Sequence, residues 1–224
     1  MKLSVILPVL DEEARVGARL AELAAMSAVG EVIVVDGGSA DGTRKRVAAP
    51  ARLIDAPRGR ASQLNAGARA AKGDVLLFLH ADVSLPRDAP ALVEAALRDP
   101  RNVAGAFRTW HFADDGRRAP WLHLADLRSR YTNLPYGDQA LFVRREVFDA
   151  VGGFPAQALL EDLELSRRLC RVGRIARVTA SVRVSGRRFL AHPLREALIV
   201  NLFPLLYRAG VSPDALARYY RNIR

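Results

Sequence analysis

Two carboxylates, Asp36 and Asp82, each end a short apolar run. Val32-Ile33-Val34-Val35 leads into Asp36-Gly37-Gly38-Ser39, and Val75-Leu76-Leu77-Phe78-Leu79 leads into His80-Ala81-Asp82. Such runs read as buried parallel strands, and the carboxyl edge of a parallel sheet is where ligands bind. A carboxylate at Asp82 can hold Mg2+ or Mn2+, which bridges two phosphates and neutralises a departing diphosphate. Asp36 could accept hydrogen bonds from a base or ribose. The glycines after it let the backbone approach a ligand, and Ser39 can cap a following helix. Either acid alone would also suit an ordinary strand end, but the pair suggests a site for a nucleotide and its metal.

Other polar groups recur between apolar segments. Arg60, in Arg58-Gly59-Arg60, could reach a diphosphate or simply start a helix in solvent. Asp138 and Gln139, in the turn Tyr136-Gly137-Asp138-Gln139, could bind acceptor hydroxyls or serve the turn itself. Glu161 and Asp162 open a helix, where the dipole favours carboxylates. A carboxylate on that rigid helix end could also act as a general base. Arg187 and Arg188 could clamp phosphate, and His192 lacks a partner at metal-ligand spacing.

These groups need a scaffold, and the first hundred residues supply strand–helix alternation. Strands are expected at Leu3–Leu7, Val32–Val35, Arg52–Asp55 and Val75–Leu79. Helices are expected at Glu12–Met26, 40–48, Ala61–Ala71 and 88–98. This order implies an α/β fold, a parallel, doubly wound sheet flanked by helices. Beyond it, strands are expected at Val103–Phe112 and Gln139–Arg144, and helices at Trp121–Tyr131 and Asp162–Val172. Residues 175–184 read as a strand pair or one bent strand, and helices at 194–208 and 213–222 finish the chain. There is no repeat or low-complexity linker, so one domain of 1–224 is expected. It divides into a nucleotide-binding half (1–100), an acceptor and catalytic half (101–190) and C-terminal helices (191–224).

The chain has 224 residues, half of them hydrophobic, and a net charge of +10. Residues 1–100 hold 13 basic and 13 acidic residues, whereas residues 101–224 hold 21 arginines against 11 acids and so carry the whole excess. An anionic acceptor, a membrane surface or a nucleic acid would each match that asymmetry. The lone Cys170 excludes an internal disulfide, and its helical spacing from Leu165, Leu169 and Val172 predicts a buried hydrophobe. With no leader and no apolar stretch long enough to span a bilayer, a cytoplasmic protein is expected, with contact at the inner face of the membrane open to it. Trp110, Trp121, Tyr131 and Tyr136 could line an acceptor groove, but core packing is the expectation for most of them.

Taken in order, these segments resemble a family 2 glycosyltransferase of the GT-A fold. The resemblance spans about residues 2–190. It is carried by Ser4-Val5-Ile6-Leu7-Pro8 with Glu12-Glu13, and by Val35-Asp36-Gly37-Gly38-Ser39 with Asp41-Gly42-Thr43. Arg60 with Asn65 and Gly67, then Ala71-Lys72-Gly73-Asp74, Phe78-Leu79-His80-Ala81-Asp82, and Glu161-Asp162 with Leu165, Arg168 and Gly173 complete it. The compact bacterial stand-alone subgroup with a His-Ala-Asp metal motif looks nearest. The resemblance implies that the Pro8–Glu13 loop, with Pro8, Val9 and Glu12, and Asp36 hold the nucleoside of a UDP- or GDP-linked sugar, and Arg60 its phosphates. Asp82 would match the last acid of the Asp-x-Asp metal motif, binding Mg2+ or Mn2+. Asp162 would match the base in an inverting, direct displacement, with Asp138, Gln139 and Glu161 on the acceptor side. His80 departs from the first acid of the metal motif. Ser185–Phe189 departs from the Gln-x-x-Arg-Trp motif of processive members, which implies non-processive transfer.

Two other readings compete. A sugar nucleotidyltransferase would resemble a glycine-rich loop after the first strand, where this chain has Pro8-Val9-Leu10-Asp11-Glu12-Glu13. A non-catalytic basic module for nucleic acid or membrane would explain the arginines but not Asp82 and Asp162. The first reading predicts an acceptor that is anionic or lipid-linked, with no nucleic-acid partner.

Overall fold

A computed structural model describes residues 1–116, 122–123, 126, 134–191 and 193–222. Among the described residues eight strands form one sheet: β1 (Leu3–Val9), β2 (Val29–Asp36), β3 (Arg52–Asp55), β4 (Val75–Phe78), β5 (Val83–Ser84), β6 (Asn102–Phe112), β7 (Phe142–Arg144) and β8 (Arg174–Ser185). Their order is β3-β2-β1-β4-β7-β6-β8-β5. Strands β3, β2, β1 and β4 are parallel, as are β6 and β8, while β7 runs antiparallel to both β4 and β6.

The helices are α1 (Glu13–Ala24), α2 (Arg60–Ala70), α3 (Ala89–Ala96), α4 (Arg145–Ala150), α5 (Glu161–Val172), α6 (Arg187–Ala191), α7 (Pro193–Arg208) and α8 (Pro213–Asn222). The parallel strands are apolar on both faces because helices cover both. Val5, Leu7 and Val9 enter one core cluster with Val16 and Leu23 of α1 and Val93 of α3. Ile6 points the other way, into a cluster with Leu64 and Ala68 of α2 and Leu165 and Leu169 of α5. Each such fully buried aliphatic side chain stabilises the fold by about 1.5–3 kcal/mol.

Pro8 is tolerated in this central strand because of where pairing stops. The Ile6 carbonyl accepts from Leu79 N–H of the β4 side, and the β1–β4 register ends at Ile6 and Phe78. By strand alternation Pro8 faces the same side, and it lacks the N–H that the next rung, to the Leu79 carbonyl, would need, so the β1–β4 ladder stops there.

Strand β5 follows β4 after four residues, yet it pairs with β8 at the far end of the strand order. Four residues span at most roughly 14 Å, so the sheet must curl until β8 returns to the end of β4. Asp82 lies in that link, and its carbonyl accepts from Ser185 N–H at 3.1 Å.

Several expectations change. Residues 40–48 hold only the 3-10 turn Arg44–Arg46, because the preceding loop satisfies its polar groups with side chains rather than with helical bonds. Residues 137–139 form a 3-10 turn, and Ala140 takes φ 47°, so the expected strand begins only at Phe142. Residues 174–185 are one strand, bent where the register with β6 shifts between Phe107 and Arg108. Strand β5 and helix α4 were not expected. Cys170 is exposed, since Leu165, Ser166 and Leu169 take the buried face of α5. Trp110 is exposed and lies 4.2 Å, ring to ring, from His123. The expected helix Trp121–Tyr131 falls largely outside the described residues.

Candidate functional site

The carboxyl edge of the parallel strands gathers groups from all parts of the chain. Arg60 opens α2 directly after Gly59, whose φ of 136° suits glycine alone. Its Nε lies 2.9 Å from Glu161 Oε1, and its Nη2 lies 2.6 Å from His80 Nε2. A guanidinium can only donate. For this contact to be a hydrogen bond His80 Nε2 must accept, which requires the tautomer that carries its proton on Nδ1. The Arg60 side chain is half-exposed; desolvation against its neighbours opposes its charge, but the fields of Glu161, Asp162, Asp82 and Asp138 outweigh it and hold the guanidinium above its ordinary pKa.

Asp162 Oδ2 accepts from Gly137 N–H at 2.6 Å, and Oδ1 accepts from Leu163 N–H at 2.7 Å. The same Gly137 closes the cluster. A Cβ there would lie 2.3 Å from Arg60 Nη2, 2.8 Å from His80 Nε2 and 3.2 Å from Asp162 Oδ2. Glu161 is buried, and that burial pushes its carboxyl up against the opposing pull of Arg60, with Asp162 adding to the rise. Both carboxylates act on Arg60.

The loop that carries these acids is fastened to α2. Asn65 Nδ2 donates to the Phe154 carbonyl at 2.8 Å, and Phe154 N–H donates to Asn65 Oδ1 at 3.0 Å. Phe154 packs on Phe78 and Phe148, with ring centroids 4.8 and 5.7 Å away. Gly67, two turns beyond Arg60, lets α2 lie on β1, since a Cβ would sit 2.4 Å from Ile6 Cγ2. The spacing of Arg60, Asn65 and Gly67 thus joins a ligand-facing group to the contacts that position it.

Asp36 is fully buried. It accepts from Gly38 N–H, Ser39 N–H, the Ser39 hydroxyl and Arg44 Nη1, the last at 3.0 Å. Burial works against its ionisation, but the Ser39, Arg44 and backbone donors outweigh it and hold the carboxyl below the usual range. The structure therefore places Asp36 beneath the turn, shaping Gly37–Ser39. The β1–α1 and β2 loops are laced together. Asp11 N–H donates to Ser39 Oγ at 3.0 Å, Ala40 N–H to Asp11 Oδ1 at 2.8 Å, and Glu12 N–H to Thr43 Oγ1 at 2.8 Å. Val9 is buried, and its carbonyl accepts from Gln63 Nε2 at 2.8 Å.

Arg187 reaches back across the sheet, its Nη2 3.7 Å from Glu12 Oε1. The Arg188 side chain and His192 lie outside the described residues. Gln139 is buried, and its Nε2 has no hydrogen-bond partner among the described residues. Asp138 precedes it in the same turn.

Two residues were missed. Gln63 also donates to the Val35 carbonyl at 2.9 Å, tying the ends of β1 and β2 together. Arg19 is 7% exposed, pairs with Glu22, donates to Ser84 Oγ at 2.6 Å and lies in the field of Asp82. A charged residue in the apolar stripe of α1 was the available signal.

The donor set fits a divalent cation shared with phosphate. Asp82 and His80 offer hard oxygen and borderline nitrogen, and a cationic group already draws the surrounding carboxylates. Among the described residues no three acidic, histidine or cysteine side chains cluster closely enough to cage an ion. A metal held by one or two protein groups plus substrate oxygens is the arrangement such a set permits.

Residues 4–156 match the family model for glycosyl transferase family 2, and the chain belongs to that family. It is 29% identical over 174 residues to the undecaprenyl-phosphate 4-deoxy-4-formamido-L-arabinose transferase of Aeromonas hydrophila, covering 66% of this chain and 50% of that one. It is 31% identical over 130 residues to the glucosyl-3-phosphoglycerate synthase of Mycolicibacterium paratuberculosis, covering 46% and 40%. The chain thus spans about half the length, or less, of these curated relatives. A mannosyltransferase from Pyrobaculum calidifontis, solved with GDP-Man and Mn2+, superimposes with a TM-score of 0.69 at 24% identity over 95% of this chain and 66% of that one. The glucosyl-3-phosphoglycerate synthase of Mycobacterium tuberculosis, solved with Mn2+, UDP and glucosyl-3-phosphoglycerate, gives 0.64 at 22% identity over 94% and 80%. At these identities the structural likeness establishes the GT-A fold.

Proposed function

We propose that this chain transfers a sugar from a nucleoside-diphosphate sugar, UDP- or GDP-linked, to an acceptor hydroxyl, once per acceptor and with inversion. The convergence of Arg60, His80, Asp82, Asp138, Glu161 and Asp162 on one sheet edge carries this reading. The donor lies against Pro8, Val9, Glu12 and the turn shaped by Asp36. Arg60 meets the diphosphate. Asp82, with His80 beside it, would hold Mg2+ or Mn2+, which when bound stabilises negative charge on the leaving group.

Asp162 takes the acceptor proton. Each of its oxygens accepts one backbone N–H and keeps a second lone pair, so the carboxylate is oriented with a lone pair open to an acceptor hydroxyl. As the acceptor oxygen bonds to the anomeric carbon, the bond from that carbon to the diphosphate oxygen breaks on the opposite face. Gln139 Nε2, without a hydrogen-bond partner among the described residues, and Asp138 follow Gly137 in the turn that bonds Asp162, which supports an acceptor-binding role for this turn.

The acceptor side is anionic or lipid-linked on this reading. Both curated relatives are named for phosphate-bearing compounds, and the arginine excess lies in residues 101–224. Among the described residues no helix is long and apolar enough to cross a membrane. Helices α7 and α8 expose Leu202, Leu205 and Tyr219 beside exposed Arg208 and Arg218, a combination suited to the surface of an anionic bilayer.

Thermal unfolding with UDP- and GDP-sugars, with and without Mn2+, tests the donor reading. Saturating donor at a hundred times its dissociation constant should stabilise the fold by about 2.7 kcal/mol. No stabilisation by any of them, with either metal, overturns it.

A further inference from the structure

We propose that Arg60 is a resident cation that holds the metal's place in the unliganded site, and that its departure from His80 hands the His80 Nε2 lone pair to the metal. This rests on the nucleotide-sugar reading above and adds a step to it. The observation is one of position. The guanidinium donates to His80 Nε2 at 2.6 Å, pairs with Glu161 at 2.9 Å and lies in the field of Asp82, the acid that would hold a divalent ion.

The contact is built to be reversible. A carboxylate at position 80 would hold the guanidinium in a charge-assisted, bidentate pair, which is strong and hard to exchange. A neutral imidazole accepts a single hydrogen bond without a charge of its own. Glu161 Oε1 meanwhile forms an ion pair with Nε, the stem end of the guanidinium, at 2.9 Å but without hydrogen-bond geometry. The distal nitrogens can therefore swing toward incoming phosphate while the stem stays paired. His80, relieved of its donor, presents nitrogen to the metal beside the Asp82 oxygens. Histidine at this position is thus matched to the arginine facing it, and it gives the site one borderline ligand where two carboxylates would be purely hard.

Opposite-sign effects test the proposal. In Arg60→Gln and Arg60→Ala, Mn2+ added alone should bind more tightly, on the order of tenfold, because a competing cation is gone. The same variants should bind UDP or GDP in the presence of Mn2+ more weakly, by roughly tenfold or more, because a phosphate partner is gone. Arg60→Lys keeps the charge and should show no gain for Mn2+ alone. The spin-echo spectrum of Mn2+ bound with nucleotide should carry nitrogen coupling that His80→Asp abolishes while Mn2+ remains bound. Circular dichroism of each variant establishes that it is folded.

Mn2+ affinity that falls or stays level in the two neutral Arg60 variants overturns the proposal, as does a Mn2+–nucleotide complex without nitrogen coupling. Failure of the donor reading looks different. The parent then binds neither nucleotide with Mn2+, while the titration with Mn2+ alone still reports whether Arg60 competes with the metal.

Discussion

Gly137 and Asp162 are joined by a 2.6 Å hydrogen bond from the glycine N–H to Oδ2, although they lie on separate elements. The backbone of the 137–139 turn thereby aims the first-turn carboxylate of α5. The bond also sets what a substitution of either residue does.

Asp162→Asn removes the proposed base, and transfer should fall by roughly 10²–10⁴-fold. The change is not isosteric in its hydrogen bonding. An amide offers one acceptor oxygen, and its NH2 must face either Gly137 N–H or Leu163 N–H. A stability loss of about 1–3 kcal/mol is therefore expected as well. Single-turnover transfer with the melting curve of the same variant separates the two effects. Transfer near the parent rate would reduce Asp162 to a helix cap, leaving Asp138 as the next candidate.

Gly137→Ala should disable the site more than the fold. The added Cβ would sit 2.3 Å from the half-exposed Arg60 tip, which can move, but also against the His80 ring and Asp162. Nucleotide binding and transfer should both drop while the melting temperature moves by only a few degrees. Calorimetry with UDP and GDP checks the first, and an unchanged affinity would show that the cluster tolerates displacement.

Asp36 and Glu161 predict opposite responses to pH. The Asp36 carboxyl is held low, so its contribution is present above the unfolded carboxylate value of about 3.9 and is lost as pH falls through its folded value. Asp36→Asn should therefore cost about 1–3 kcal/mol at neutral pH, with the gap to the parent narrowing in acid. Glu161 is held high, so the parent loses stability as pH rises through that folded value. The melting temperature of Glu161→Gln, relative to the parent, should accordingly climb with pH. Melting curves across pH read both signs.

The face of α7 and α8 should bind anionic vesicles. Phosphatidylglycerol-containing liposomes should sediment the protein at low salt and release it at high salt, while neutral liposomes should not. Replacing both Leu202 and Leu205 with Gln should abolish sedimentation without unfolding the chain, since both are exposed. Equal binding to neutral vesicles, or none to anionic ones, defeats this part of the reading.

The parallel half of the fold was legible because strands buried on both faces leave continuous apolar runs, as at Val32–Val35 and Val75–Leu79. Strand β5 was not, because two residues carry no period and its partner lies a hundred positions away. The loop at 40–48 looked helical by composition, yet Asp41 bonds Thr43 and Glu13 bonds Gly42, an exchange between loops that no local pattern records. The acids of the site were visible singly, at strand and helix ends. Their meeting at Arg60 was not, because it depends on Gly137 and on Asn65 clamping the loop before α5. Cys170 went wrong for a simpler reason: near a helix end, one position along is the difference between core and solvent.

The four-residue link from β4 to β5 has a consequence during synthesis. Strands β1 to β4 can assemble as soon as residues 1–78 have left the ribosome, whereas β5 must wait for β8, whose residues come about a hundred positions later. Asp82, in the link, is among the last groups to find its place. A still-growing chain would hold the parallel strands without the β5–β8 pairing that fixes this link. The residue proposed to hold the metal therefore takes its final place only after β8 has paired with β5.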